Sequence, residues 1–279
     1  MNVVDIGEGV IRVNPSDNFS LYKTLTCGQC FRWKQLSPNT FLGITGNSSV
    51  CVSQAPDGTL YFLCSLDEVL NVWVPYFGLD ENYDEYMRSI TLDPHALKAY
   101  QASRGIHILR QDIWEMVVSY IVSQHNSLSN IGKVVDKMSE INGKRATNPD
   151  IGSNPYVFPS AQELDCMSTE DWDAFKLGFR RPYVVDCVSA VVRNGNFLEG
   201  LKTKSTQVII IQLQLFKGIG PKVANCIALF GYHRLDSFPI DVWIQRVADS
   251  HYNGHIQTEQ YGPYAGLVQQ FLFNYARNI

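Results

Sequence analysis

Two residues towards the C-terminal end, Lys222 and Asp241, have the types and the spacing for covalent chemistry. Lys222 follows a proline that suits the first position of a helix, and positive charge is unfavourable at a helix N-terminus. An amine held there favours its neutral, nucleophilic form, which makes a Schiff base with a carbonyl-like carbon. Asp241 comes 19 residues later, after one short helix and a loop, so its carboxylate can return beside the amine. It would then accept a proton or balance positive charge on a substrate.

Each of these two residues also has a plainer interpretation. Lys222 by itself fits a solvated surface lysine, which is the commoner situation for this residue type. Asp241 precedes a helical pattern and fits an N-cap, whose side-chain oxygen accepts a backbone hydrogen bond. The capping role and the chemical role of Asp241 are compatible.

The segment before Lys222 predicts a tight hairpin between two helices. Gly218 and Gly220 permit a turn that a side chain would obstruct, and Pro221 needs no backbone donor at the first helical position. The free N–H groups at the helix start form an anion site that suits a DNA phosphate. The alternative is a helix connection without a ligand, because short Gly-x-Gly patterns recur by chance.

The chain of 279 residues carries a net charge of −4, but the charge is unevenly distributed. Residues 1–100 carry 6 basic and 11 acidic side chains, whereas residues 174–224 carry 8 basic and 2 acidic ones. A positive segment on an acidic chain can dock a phosphate backbone, and solvated helix faces are the alternative. Hydrophobic residues make up 45% of the chain, which excludes wholesale disorder.

Cysteine usage and hydropathy exclude further classes of protein. The seven cysteines are scattered, unlike a secreted disulfide framework. Cys27 and Cys30 lack the second pair, or the histidines, that a zinc site needs, and no cysteine follows Cys226 to hold an iron–sulfur cluster. We therefore expect no metal and no cofactor. Neither a signal peptide nor a membrane-spanning apolar run is visible, so a cytoplasmic protein without membrane contact is expected.

The order of strand and helix patterns along the chain predicts an α+β fold with two parts, which would position these residues. Residues 1–95 are expected to form an antiparallel sheet domain with flanking helices, because short apolar runs alternate with Gly, Asn and Pro turns. Residues 96–279 are expected to be a mostly helical region with the hairpin at 213–230. Strands are predicted near 41–45, 50–52 and 60–64, and a loop is predicted at 143–159. One helix is predicted near 66–73 and another from residue 113. Further helices are predicted at 128–141, 182–193, 205–216, 221–230, 241–250 and 263–277.

Several segments together resemble the helix–hairpin–helix DNA glycosylases, and among them the 8-oxoguanine DNA glycosylase/lyase branch. The hairpin reads GIGPKVA at 218–224, and PIDV follows at 239–242. Residues 28–33 (GQCFRW) resemble the branch's GQSFRW, residues 109–112 (LRQD) match its LRQD, and residues 177–180 (LGFR) resemble its LGYR. The matches extend from residue 28 to about 277, which is most of the chain.

The resemblance implies a bifunctional, cofactor-free monomer that acts on double-stranded DNA containing 8-oxoguanine and flips the damaged base into a pocket. Lys222 would attack the sugar at C1′, expel the base and leave an imine, after which β-elimination nicks the strand. Asp241 would activate Lys222 and stabilise positive charge on the sugar. The Gly28 carbonyl would accept a hydrogen bond from the N7–H of 8-oxoguanine, which normal guanine lacks.

The resemblance also implies roles for residues that contact the base and the DNA. Cys226 and Phe273 would sandwich the flipped base, with plain core packing as the alternative. Gln269 would bond the polar edge of the base. Phe179 would wedge into the base stack, and Arg180 would reach the unpaired base or else contact a phosphate. The implied DNA-binding residues are Gly218, Gly220, Val223, His125, Asn126, Phe179, Arg180 and Trp243.

Three departures from the branch's eukaryotic members indicate a bacterial-like form. Residues 125–127 read HNS where those members have three asparagines. Asn130 stands where they carry a second arginine that reads the opposite base, and Trp243 where they carry a histidine near a phosphate. A guanidinium fork that reads cytosine is thus missing, so we expect a relaxed preference for cytosine opposite the lesion. A bacterial-like form would act in the cytoplasm, at the nucleoid.

Two other functions remain open from the sequence. One is a glycosylase for an alkylated base or a mismatched adenine. The presence of Lys222 and the lack of C-terminal cysteines oppose it, because many such relatives lack the lysine or carry iron–sulfur cysteines. The other is a non-catalytic DNA-binding module, because the hairpin alone suffices for phosphate contacts.

Overall fold

The computed structural model, which describes residues 1–146 and 156–278, has an α+β fold with an N-terminal sheet and a mostly helical remainder. Its strands are β1 (Asn2–Asp5), β2 (Val10–Asn14), β3 (Trp33–Ser37), β4 (Thr40–Thr45), β5 (Ser48–Gln54) and β6 (Leu60–Leu63). They form one antiparallel sheet in the order β1-β2-β6-β5-β4-β3. The predicted antiparallel sheet is therefore confirmed. Strands β3 to β6 each pair with the next strand along the chain, whereas helix α1 (Leu21–Thr26) separates β2 from β3 and β2 pairs with β6.

The remaining helical elements follow the sheet in chain order. They are α2 (Leu66–Glu68), a π-helical turn (Val69–Trp73), α3 (Val74–Phe77), α4 (Tyr83–Arg88), α5 (Pro94–Ser103), α6 (Ile113–Val122), α7 (Leu128–Asn142), α8 (Ala161–Asp165), α9 (Thr169–Ala174), a 3-10 turn (Gly178–Arg180), α10 (Arg181–Arg193), α11 (Phe197–Gly200), α12 (Thr206–Leu213), α13 (Pro221–Phe230), α14 (Val242–His251), a 3-10 turn (Thr258–Tyr264) and α15 (Ala265–Asn278).

The longer predicted helices are confirmed. The ranges predicted for α7, α10, α13, α14 and α15 end within two residues of the observed bounds. The helix predicted at 205–216 ends earlier, at Leu213, because the chain turns into the hairpin and Ile219 N–H bonds to the Phe216 carbonyl. The predicted loop at 143–159 begins at Gly143, which caps α7 with φ +68°, and its residues 147–155 lie outside the described residues.

Two hydrophobic cores hold these elements. Alternate sheet residues such as Val52 and Phe62 pack on Trp73 and Phe77 of the π-helical turn and α3, and all four are fully buried. A larger core joins the helices from α4 to α15. The cores interlock, because Leu109 belongs to the sheet core while Cys27 of the N-terminal part belongs to the helical core. The boundary near residue 95 stays a prediction. Among the described residues, the helices are too short or too polar to cross a bilayer.

An ionic cluster joins the N-terminal part to the end of α13. Glu81 accepts hydrogen bonds from Arg110 and from His233 Nε2, the latter at 3.2 Å. Burial alone would raise the pKa of the Glu81 carboxyl, but His233 and Arg110 outweigh it and lower this pKa from 4.5 to about 2. Because the folded-state pKa is depressed, the ionised carboxylate stabilises the fold fully above about pH 4.5, and this contribution is lost as the pH falls through 2.

We expect Glu81→Gln to lower the free energy of unfolding by about 2–3 kcal/mol at pH 7 and by much less near pH 2. Urea unfolding across this pH range measures the difference. Glu140→Gln, an exposed change on α7, is the control and should leave the pH dependence unaltered. An equal loss at both pH values for Glu81→Gln would contradict the electrostatic explanation.

Candidate active site

A cavity of about 550 Å³ opens between α13 and α15. Lys222, Cys226 and Phe230 stand four residues apart on α13, so they share one helix face and form one wall of this cavity. Cys226 is buried, and burial raises the pKa of its thiol. The volume lies within the range of small-molecule sites. The cavity thus places a half-buried lysine at its edge and a thiol further along the same wall.

The opposite wall belongs to α15 and has the same spacing. Gln269, Phe273 and Arg277 stand four residues apart and all line the cavity. Gln269 is 4% exposed, and its buried Oε1 has no hydrogen-bond partner in the structure. An unpaired buried carbonyl oxygen costs free energy, so this position favours a ligand that brings a donor. Aromatic, thiol and amide groups therefore face a common space.

The chemistry-bearing pair, Lys222 and Asp241, lines the same cavity. Gly220 is the N-cap residue of α13 and Pro221 its first residue, as expected, so Lys222 lies in the first turn. The Lys222 Nζ lies 5.6 Å from the centroid of the Tyr120 ring, above an aromatic face that attracts cations. Asp241 lines the same cavity, and the two side chains form no ion pair within the described residues.

Asp241 also caps a helix. Its Oδ1 accepts a hydrogen bond from Ile244 N–H at 2.9 Å, which fixes the start of α14. The capping interpretation is therefore confirmed. The carboxylate has a second oxygen, so the cap leaves an acceptor free to face the cavity.

Gly28 lies at a third side of the cavity, in a conformation that only glycine adopts readily. Its φ is +93°, and a Cβ placed there would come 2.6 Å from Arg277 Nη1 and 3.4 Å from the Phe273 ring. Both the backbone angle and the close approach exclude a side chain. The position therefore brings a bare peptide group up to the cavity.

Two glutamines hold the Gly28 peptide in place. The buried Gln29 accepts a hydrogen bond from Leu109 N–H at 2.9 Å and donates to the carbonyls of Thr24 and His107. In return, the Gln111 side chain donates to the Gln29 carbonyl at 2.8 Å. These reciprocal bonds join the segments 28–33 and 109–112, two of the segments on which the resemblance depends.

The hairpin has the tight turn that its glycines predict. Gly218 has φ +83°, and a Cβ there would lie 2.5 Å from the Tyr183 ring. The side chain of Val223 is 5% exposed and packs in the helical core. Val223 can thus offer DNA only its backbone, a distinction that the sequence did not make.

The segment at 125–126 lies beside the cavity and is held by an arginine. Arg180 donates through Nε to the Gln124 carbonyl at 2.6 Å and through Nη2 to the His125 carbonyl at 2.8 Å. Its guanidinium also stacks on the Phe179 ring at 4.5 Å. Neither sequence interpretation of Arg180 anticipated these backbone contacts. Phe179 is 52% exposed, as a wedge residue would need to be.

Of the remaining predicted residues, Asn126 and Trp243 line the cavity and His125 is the neighbour of Asn126 in the chain. The Asn126 Oδ1 accepts from Asn130 Nδ2 at 2.8 Å, so Asn130 packs locally. Trp243 is 36% exposed, and its ring contacts the Arg246 guanidinium at 5.1 Å. His125 is exposed and has φ +48°.

Several cavity residues were given no role from the sequence, among them Tyr120, Phe31 and Arg277. Tyr120 falls in the helix predicted from residue 113, and nothing in the sequence indicates that it lies near Lys222. Phe31 lies within the segment 28–33, and its ring packs edge-on against Tyr120. Arg277 had a usable signal, because it stands four residues after Phe273 and eight after Gln269 on one predicted helix.

Comparisons with known proteins identify the family and the fold. The family described as "8-oxoguanine DNA glycosylase, N-terminal domain" matches residues 10–117. A solved structure of MBOgg1 with a low-affinity DNA ligand is 33% identical, with a TM-score of 0.90, and the match covers 99% of this chain and 98% of that chain. The chain belongs to the 8-oxoguanine DNA glycosylase family.

Three further proteins extend the comparison. The 8-oxoguanine glycosylase/lyase of Clostridium acetobutylicum in its apo-form is 30% identical over 98% of this chain and 99% of that chain, with a TM-score of 0.90. The N-glycosylase/DNA lyase OGG1 of Arabidopsis thaliana is 27% identical, and the match covers 90% of this chain and 75% of that protein. The 3-methyladenine DNA glycosylase of Archaeoglobus fulgidus, at 19% identity and a TM-score of 0.73, shares the fold.

Proposed function

We propose that this chain is a bifunctional DNA glycosylase and AP lyase that excises 8-oxoguanine from double-stranded DNA. One observation carries the proposal: the Lys222 amine, the Asp241 carboxylate and the Gly28 peptide all line a single cavity of about 550 Å³. A flipped nucleoside that fills this cavity meets a nucleophile, an acidic neighbour and a reader of its base edge together.

The reaction begins with base release. The Lys222 nitrogen forms a bond to the sugar C1′ as the C1′–N9 bond breaks, and the departing base keeps the electron pair and takes up a proton. The Asp241 carboxylate offsets the positive charge that grows on the sugar, and it receives a proton from the attacking amine.

Strand cleavage follows from the same covalent bond. The C1′–O4′ bond then breaks, O4′ keeps the electron pair and takes up a proton, and the nitrogen lone pair forms the C1′=N bond of an imine between Lys222 and C1′. Loss of a proton from C2′ then expels the 3′ phosphate oxygen with the electrons of the C3′–O bond. Water finally hydrolyses the imine and frees the amine. No cofactor takes part in these steps.

The cavity walls supply recognition of the base. The flipped purine stacks between Cys226 and Phe273, and its polar edge supplies donors to the unpaired Gln269 Oε1. The Gly28 carbonyl accepts from the N7–H of 8-oxoguanine. Guanine presents an acceptor at N7, so two acceptors would face each other and guanine is rejected.

Residues on the surface around the cavity bind the DNA. The N–H groups at the start of α13, behind the Gly218 turn, bind a phosphate, with Gly220 and Val223 contributing backbone alone. Phe179 enters the base stack, where His125 and Asn126 help to fill the space of the flipped base. Arg180 approaches the unpaired base, and the Trp243 N–H donates to a phosphate.

A lesion panel tests this proposal. The full chain is incubated with duplexes that contain 8-oxoguanine, 3-methyladenine, or adenine opposite 8-oxoguanine, and base release and strand nicking are measured separately. We expect both activities on 8-oxoguanine. Release of 3-methyladenine, or of adenine opposite 8-oxoguanine, without release of 8-oxoguanine would favour a glycosylase for alkylated or mismatched bases. Binding of the duplexes without release of any base would favour a non-catalytic DNA-binding module.

Opposite-base discrimination is expected to be weak. The reason is that Asn130 has a short amide side chain, which donates a hydrogen bond to Asn126 and brings no guanidinium group to the opposite strand. Losing one bidentate reader removes about 1–3 kcal/mol of discrimination. Single-turnover excision rates opposite C, A, G and T should therefore lie within about tenfold of one another. A preference for C of a hundredfold or more would contradict this expectation.

A further inference from the structure

Arg277 reaches the base cavity, and the proposed function gives it no role. Its guanidinium carbon lies 5.5 Å from the centroid of the Phe273 ring, and its Nη1 donates a long hydrogen bond of 3.4 Å to the Cys27 carbonyl. An arginine has five N–H donors and no acceptor. Within the described residues, no carboxylate pairs with Arg277, so most of its donors are available to a ligand in the cavity.

The order of residues along α15 places Arg277 at one end of the bound base. Gln269, Phe273 and Arg277 follow at intervals of four residues, about 6 Å each along the helix axis. A purine that stacks on Phe273 with its Watson–Crick edge towards Gln269 turns its opposite edge towards Arg277. Gly28, the proposed reader of N7, agrees with this orientation because a Cβ placed on it would lie 2.6 Å from Arg277 Nη1 and 3.4 Å from the Phe273 ring.

That opposite edge carries the chemical difference between the lesion and the normal base. In 8-oxoguanine, a carbonyl oxygen at C8 stands next to the N7–H. In guanine, C8 carries only a hydrogen. A cationic donor at this edge gains a charge-assisted hydrogen bond with the lesion and none with guanine.

We propose that Arg277 is a specificity-determining residue that donates a hydrogen bond to the C8 oxygen of the flipped 8-oxoguanine. The inference rests on the proposed function and deepens it, because the damaged base is then read at two adjacent atoms. The Gly28 carbonyl accepts from N7–H, and the Arg277 guanidinium donates to O8. Each contact exists only with the oxidised base.

Arg277→Met tests the assignment, because methionine keeps the apolar stem over Phe273 and removes all five donors. Single-turnover excision of 8-oxoguanine should fall by about ten- to a hundredfold, the usual value of a charge-assisted hydrogen bond. Cleavage at a preformed abasic site should stay within about twofold, because no base is present to be read. Arg277→Lys, which keeps a charged donor, should recover part of the loss.

Binding supplies a second measurement that does not depend on turnover. In a Lys222→Gln background, the ratio of Kd for undamaged duplex to Kd for 8-oxoguanine duplex should fall by about ten- to a hundredfold when Arg277→Met is added. Arg104→Met removes the same charge from an exposed ion pair with Asp84 and is the matched control. This control should change neither the ratio nor the excision rate.

The outcomes separate this inference from the proposed function. Unchanged excision and an unchanged binding ratio in Arg277→Met would overturn the inference while the enzyme assignment stands. An equal loss of excision and of abasic-site cleavage would also overturn it, because Arg277 would then only support α15 and the Gly28 peptide. A wild-type chain that cleaves neither substrate would remove the proposed function, and the inference with it.

Discussion

Lys222→Gln is expected to lower both 8-oxoguanine excision and cleavage at preformed abasic sites by at least about a thousandfold, because the amide cannot form the covalent bond to C1′. Sodium borohydride added during the reaction measures the bond directly, since it reduces the imine to a stable amine. Wild type should become joined to lesion-bearing DNA, and the variant should not. Glutamine keeps a polar, unbranched stem only one atom shorter than that of lysine, so the fold should be unaffected.

The same hairpin offers a matched control. Lys217 lies five residues before Lys222, is exposed, and pairs with Asp186 at 3.1 Å on the surface. Lys217→Gln removes the same charge near the DNA but not the amine of the cavity, so it should weaken binding slightly and leave the borohydride product intact. Trapping at any residue other than Lys222 would refute the assigned nucleophile.

Asp241→Asn is expected to slow base release by about a hundred- to ten-thousandfold with little loss of stability, because asparagine caps a helix about as well as aspartate. The amide oxygen still accepts from Ile244 N–H, while the negative charge at the cavity is lost. Single-turnover excision rates and thermal unfolding of the same preparation measure the two effects.

A second aspartate serves as the control for capping. Asp112 caps α6 by accepting from Glu115 N–H at 2.8 Å, and it does not line the cavity. Asp112→Asn should therefore leave excision within a few-fold of wild type. If Asp241→Asn released the base at the wild-type rate, the carboxylate would be a cap without a chemical role.

The sequence predicted the long elements well, for a physical reason. Helices such as α7 and α10 repeat apolar residues with a helical period over several turns, so their faces are visible without a structure. The short helices α1, α4, α8 and α9 were missed because they are too brief for a period, and the ten-residue α5 was missed because its buried face consists of the small residues Ala96, Ala99 and Ser103. Each begins at a Ser, Asn or Asp whose side chain caps it, and this signal was present in the sequence.

The residues of the site also divide into those that local sequence patterns indicate and those that depend on long-range packing. Lys222 and Asp241 could be proposed from residue type and spacing, and the resemblance added Gly28, Gln269 and Phe273. Which of them share a cavity depends on long-range packing between α13 and α15, which no local pattern encodes. The Arg180 contacts to the carbonyls of Gln124 and His125 could not be predicted either. Every residue has a backbone carbonyl, so the sequence does not indicate which carbonyls accept hydrogen bonds from side chains.

The two glutamines that hold Gly28 have a consequence for how this enzyme could change its substrate. Lys222 and Asp241 stand at the starts of α13 and α14. Gly28 instead precedes Gln29, which is bonded to Leu109 N–H and to the Gln111 side chain where the two cores meet. One of the proposed base contacts, the Gly28 carbonyl, is therefore positioned by residues outside the helices that carry the proposed nucleophile and its acidic neighbour. Substitutions around Gln29 and Gln111 could alter how the N7 edge of a base is read while the contacts from α13 and α15 stay in place.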